Sequence, residues 1–188
     1  MAVLNAVGNS LTGLTGTGNF VGANTPTLIT PVLGVATATS INFGGGALDA
    51  YVPKTTWTPV FTFATPGDLS LSGITNTSTY RRVGDRVDFV MGYIFTPTFT
   101  TSAGAASITG LPITGASGTT AKFCMSNSAT ASATYAAGRS VMFGQIAGAT
   151  TSITLSSVGS AVTSANMDTT SFATGVSVTL LCIGSYFV

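Results

Sequence analysis

Five aspartates are the only side-chain carboxylates in this chain of 188 residues, which has no Glu and no His. Without imidazole, the Ser-His-Asp and Cys-His nucleophilic mechanisms are excluded within the chain, and so is a His-ligated zinc site. Asp85 and Asp88 are the one pair close enough in sequence to suggest a glycosidase, which needs two carboxyls about 5 to 9.5 Å apart. Their neighbours are Arg81, Arg82 and Arg86, so the pair reads as a turn aspartate and a strand aspartate held by ion pairs. Asp49, Asp68 and Asp168 stand alone and read as turn or joint residues. Gly44-Gly45-Gly46 lacks the lysine and the following helix that a phosphate-binding loop requires. Cys124 and Cys182 each sit in an apolar, strand-like run. Two cysteines make neither a disulfide framework nor a metal site, and both are expected to be buried free thiols. No enzymatic activity, cofactor or metal is expected.

Binding chemistry has more material. Trp57, which follows the Thr55-Thr56 entry to the head, can stack on a sugar but reads as packing at the shaft–head junction, and Tyr80 reads as core or hairpin packing. Gly115-Ala-Ser-Gly-Thr-Thr120 and the run from Ser126 to Arg139 are polar and rich in small residues. They are expected to be exposed loops, where binding residues tend to be displayed by a rigid scaffold. Within them Asn127, Tyr135 and Arg139 supply an amide, an aromatic face and a guanidinium. These groups suit sugar hydroxyls or anionic glycans, and the three are the candidate ligand-binding residues.

The elements that must position them are strands. Arg86 to Phe95 alternates strictly, with Val87, Phe89, Met91, Tyr93 and Phe95 on one face. Its other face carries Val90, Gly92 and Ile94 and also turns apolar, which predicts burial on both faces, a core on one side and a subunit contact on the other. Trp57 to Phe63 reads as an earlier strand, Pro66-Gly67-Asp68 as a turn, Thr77 to Val83 as a strand, and Val83-Gly84-Asp85-Arg86 as a tight reversal. Further strands are expected at Ala106–Leu111, Thr120–Met125, Ser140–Ala147, Ser152–Ser157 and Val176–Tyr186. The last is strongly apolar, which predicts a docked C-terminus. No window shows a 3.6-residue period with helix caps. Short strands separated by turn signals predict an antiparallel β-sandwich over residues 51–188.

Residues 1–50 differ. Apolar residues recur there, but among so many Gly, Thr and Pro that one copy cannot close a core. Three copies wound about an axis can, which predicts a short intertwined shaft or connector.

Composition limits the partners. Charged residues are only 6% of the chain and hydrophobic ones 45%, against roughly 25% charged in an average soluble domain. Ser and Thr, about 29% of the residues, must carry the polar surface. The mean hydropathy is +0.52. Even so, Thr, Ser, Gly or Pro breaks every apolar run before the roughly 20 residues of a membrane helix, so no membrane insertion is expected. A soluble oligomer that buries much subunit surface accounts for the hydropathy. The net charge of +1 shows no basic stripe for nucleic acid. Residues 1–22 carry no charge and do not read as a secretory signal.

The stretch Gly8-Asn-Ser-Leu-Thr-Gly-Leu-Thr-Gly-Thr-Gly-Asn-Phe-Val-Gly22, with Thr27-Leu-Ile-Thr-Pro-Val-Leu-Gly34 and Ser40-Ile-Asn-Phe-Gly44, resembles the segment that precedes the tips of phage tail fibres and tailspikes. Thr56-Trp-Thr-Pro59 follows. Tyr80-Arg-Arg-Val-Gly-Asp-Arg-Val-Asp-Phe89 is similar to the hairpin of those tip domains, and Ile183-Gly-Ser-Tyr-Phe-Val188 resembles their final strand. The resemblance implies an all-β parallel homotrimer, with a shaft followed by a β-sandwich head that binds a bacterial surface glycan or outer-membrane component. It implies a place on a phage virion or on an extracellular fibre of bacteria that have adopted phage parts. It assigns no binding residue. The competing expectation is a structural module that trimerises and caps a longer fibre.

Overall fold

The computed structural model describes residues 41–42, 47–48, 50–127 and 133–188. Most of the expected shaft, with the Gly44–Gly46 joint and Asp49, lies outside the described residues. So does the middle of the expected Ser126–Arg139 loop.

Strands β1 (Ile41–Asn42) and β2 (Ala47–Leu48) form a small antiparallel pair. The remaining strands are β3 (Tyr51–Thr56), β4 (Val60–Thr65), β5 (Ser70–Asn76), β6 (Thr79–Val83), β7 (Arg86–Thr98) and β8 (Ala103–Thr109). After them come β9 (Thr120–Asn127), β10 (Val141–Ala147), β11 (Ser152–Gly159), β12 (Val162–Asn166) and β13 (Val178–Phe187). They join one sheet of 11 strands in the order β3-β6-β7-β13-β9-β10-β11-β8-β4, with β5 added to β7 and β12 to β11. Every pairing is antiparallel. No helix occurs among the described residues, so the all-β antiparallel expectation holds.

Among the described residues these 11 strands do not divide into two sheets. Hydrogen bonding runs unbroken through one sheet, which curls until β4, at one end of the order, faces β7. Phe61 of β4 stacks on Phe95 of β7 with ring centroids 4.6 Å apart. Phe172, from the segment before β13, meets Phe61 edge-on at 4.9 Å. Burying an aromatic or aliphatic side chain of this kind contributes roughly 1.5–3 kcal/mol, and the curl lets one sheet enclose a core on its own inner face.

Alternation sets that face. Val87, Phe89, Met91, Tyr93 and Phe95 of β7 are all buried, as are Val178, Leu180, Cys182 and Tyr186 of β13. The Tyr186 hydroxyl donates to the Ile113 carbonyl at 2.8 Å, and burial pushes its pKa up to about 12. The C-terminus is docked: the Val188 amide donates to the Asp85 carbonyl at 2.8 Å, and the Ala116 amide to the Phe187 carbonyl at 2.7 Å. Trp57, Pro59, Phe61 and Phe63 are buried in alternation. The strand itself starts only at Val60, because Pro59 has no amide to give a ladder.

The outer face of the central strands is open on the single chain. Val90 is 43% exposed, and Ile183, directly opposite it on β13, is 77% exposed. The core side of the Arg86–Phe95 strand is buried as expected, and the face on which a subunit contact is expected is open in the single chain. Cys124 is also exposed, against the expectation of two buried thiols. Phe123 and Met125 take the inward positions of β9, which turns Cys124 outward. Cys182 is buried.

Candidate ligand-binding surfaces

The loop residues singled out from sequence are drawn into the fold more than expected. Asn127 is half-buried at the end of β9 and lies opposite Leu180 of β13. Tyr135 is half-buried and packs against the core. Arg139 is also half-buried: an Nη2 hydrogen donates to the Thr163 carbonyl at 3.1 Å. Its Nε is buried with no hydrogen-bond partner among the described residues. The polar run from Gly115 to Thr120 is exposed from Ser117 onward, as expected, and anchored at Gly115. The Gly115 amide donates to the Thr150 carbonyl at 3.0 Å, and the Ala149 amide to the Gly115 carbonyl at 2.9 Å.

Trp57 packs edge-on against Phe89, with centroids 6.2 Å apart. Its indole N–H donates to the Val90 carbonyl at 3.3 Å. Tyr80 is half-buried against the core. Both pack against the core, Trp57 from the connection between β3 and β4.

A second constellation lies on the outer face, where β3, β6, β7 and β13 run side by side. Pairing places Arg81 of β6 opposite Asp88 of β7, and Ser185 of β13 opposite Asp88 on the other side. Asp88 accepts from the Arg86 Nε at 2.8 Å and from the Arg81 Nε at 3.4 Å. The ion-paired reading of Asp88 is thus met, and Asp85 stands in the turn between β6 and β7. Exposed pairs of this kind add only about 0–1 kcal/mol, so the cluster needs no stabilising role to be retained. Lys54, Arg81, Arg86, Asp88, Val90 and Ile183 line an open groove of about 550 Å³. A neighbouring groove of about 570 Å³ shares Val90 and Ile183 and continues over Leu181 and Cys124. The outer face is therefore apolar over Val90 of β7 and Leu181 and Ile183 of β13, and cationic toward the β6–β7 turn.

Sequence reasoning found these charges but took them only as ion pairs. The missing signal was Lys54, which lies on a strand whose Thr- and Pro-containing sequence gave no clear alternation.

Two aspartates have a tying role. Asp68, in the β4–β5 turn, accepts hydrogen bonds from the amides and hydroxyls of Thr100 and Thr101 in the β7–β8 connection. The Thr100 hydroxyl and amide contribute most to holding its carboxyl far below the ordinary 3.8, with the Thr101 groups adding to them. Asp168 accepts from the Thr170 amide at 2.9 Å and orders the turn before β13.

No family model, no curated protein and no solved structure matches the chain.

Proposed function

We propose that this chain is the receptor-binding tip of a homotrimeric attachment fibre of the phage-tail type. In this reading residues 1–50 form the intertwined shaft, and the curled sheet serves as the sandwich-like head. The head recognises a bacterial surface glycan or outer-membrane component.

The supporting observation is the outer face of β7 and β13. Ile183 is 77% exposed, Val90 43% and Leu181 41%, yet they lie on central strands with partners on both sides. A contiguous apolar patch on a sheet face marks an interaction site, and a chain with 6% charged residues has few means to keep such a face in water. Neighbouring copies that cover it remove the problem. Three weak sites on one fibre then bind a repetitive surface firmly through multivalency.

The first test is molar mass by light scattering on a size-exclusion column. The expected value is near three times 18.8 kDa; a monomer at all concentrations overturns the trimer. The second is staining of a panel of bacteria with the fluorescently tagged protein. Staining of particular strains is expected. A trimer that stains none of them, its host included, turns the reading into a structural cap.

A further inference from the structure

The cationic groove beside the β6–β7 turn is assembled in a way that plain surface charge does not require. Six Lys and Arg residues occur in the whole chain, and three of them, Lys54, Arg81 and Arg86, line this one groove with Asp88 as its sole acid. Asp88 takes both guanidiniums by their Nε edge. The terminal Nη groups of Arg81 and Arg86 make no hydrogen bond among the described residues, and the two side chains are 65% and 56% exposed. One carboxylate therefore aims two guanidinium forks while leaving their outer N–H groups free. Lys54 has no ion-pair partner among the described residues. The groove keeps an excess of two positive charges after Asp88 is counted against the three cations. Thr79 and Ser185 add hydroxyls.

We propose that this groove is a binding site for an anionic saccharide, whose carboxylate or phosphate oxygens are taken by the free Nη groups of Arg81 and Arg86 with Lys54 beside them. Guanidinium presents parallel N–H donors that match either oxyanion. The hydroxyls of Thr79 and Ser185 fit the OH groups of a sugar ring. Asp88 is a positioning residue. The inference deepens the receptor-binding reading by naming the ligand class, and it moves recognition from the Asn127–Arg139 loop to the sheet face.

The test titrates the full chain with three fluorescently labelled probes: a short oligogalacturonate, its methyl ester, and a phosphorylated mannose oligosaccharide. Binding of at least one acidic probe is expected, with the neutral methyl ester failing to bind and the affinity falling as salt rises. Binding of only the oligogalacturonate assigns a carboxylated ligand, and of only the phosphorylated probe a phosphate. In the double variant Arg81→Gln, Arg86→Gln the affinity is expected to fall about tenfold or more, with an unchanged circular dichroism spectrum. Equal binding of acidic and neutral probes, no binding of any probe, or full affinity in the double variant overturns the site. Cell staining separates the two levels. Wild type and double variant that stain bacteria equally sink this groove but keep the receptor-binding reading. Acidic probes that bind a protein that stains no cell keep the groove and sink that reading.

Discussion

The ring of Phe123 lies where a side chain on Gly144 would stand. The two residues are direct partners across β9 and β10, and a Cβ on Gly144 would come within 2.4 Å of the Phe123 ring and 2.7 Å of the Ile153 methyl. The absence of a side chain at 144 lets Phe123 reach Phe89, edge-on at 5.1 Å. Gly184 does the same for Phe89 itself, whose ring is 2.8 Å from the Cβ position there. Ile153 is fully buried and cannot retreat. Gly144→Ala is therefore expected to destabilise by about 1–3 kcal/mol, the usual cost of overpacking, measured as the midpoint of denaturant unfolding. Adding Phe123→Leu should recover part of the loss, and strict additivity of the two substitutions would refute the proposed packing.

Asp68 joins two turns that are over thirty residues apart. Its carboxyl accepts these hydrogen bonds at both oxygens, and more strongly, as the anion, so its folded pKa lies below the ordinary 3.8. A depressed carboxyl pKa contributes stability that is fully present above the unfolded value and is lost as pH falls through the folded one. The wild type should thus lose stability below about pH 4, measured as its thermal midpoint, with Asp68→Asn flatter over the same range. The gap between them should close as acid is added. A gap that is independent of pH would show that the hydrogen bonds to Thr100 and Thr101 do not depend on the charge.

The part of the fold legible in the sequence was the part that alternates strongly. In β7 and β13 one period-two set, Val87 to Phe95 and Val178 to Tyr186, lies on the core, and the reversal at Gly84-Asp85 falls where its turn chemistry put it. The strands β3, β5 and β12 escaped because they lie toward the sheet's edges and carry mostly exposed side chains. Their pairing comes from backbone bonds to stronger neighbours and not from any apolar pattern of their own. The curl was illegible for a related reason. Alternation states which side chains face inward, but not whether the inner faces belong to two sheets or to one. Of the site, Arg81, Arg86 and Asp88 were visible as a charge cluster. What sequence spacing cannot give is the register that sets Lys54, on a strand some thirty residues earlier, beside them.

The two thiols should separate cleanly. Burial pushes the Cys182 pKa up to about 12, so at neutral pH it is neither accessible nor ionised and should react with a maleimide only when the chain unfolds. Cys124 is exposed on the outer face next to Leu181 and Ile183. Its modification rate should fall as protein concentration rises and chains associate over that face. A Cys124 rate that stays constant across the whole association range would place the subunit contact elsewhere.

Ile183→Asp gives the sharpest test of what covers β13. The side chain is 77% exposed in the single chain, so the substitution should change the stability of the isolated fold by no more than about 1 kcal/mol. In an assembly it would bury a carboxylate between Val90, Leu181 and the covering subunit, which is strongly unfavourable. The expected result is a fall in solution mass from three times 18.8 kDa to a single chain, with the β-rich circular dichroism spectrum unchanged. A variant that keeps the trimeric mass would show that residue 183 stays in solvent within the assembly. The trimer would then have to be held by residues 1–50, and the apolar face of β7 and β13 would be left free for the receptor.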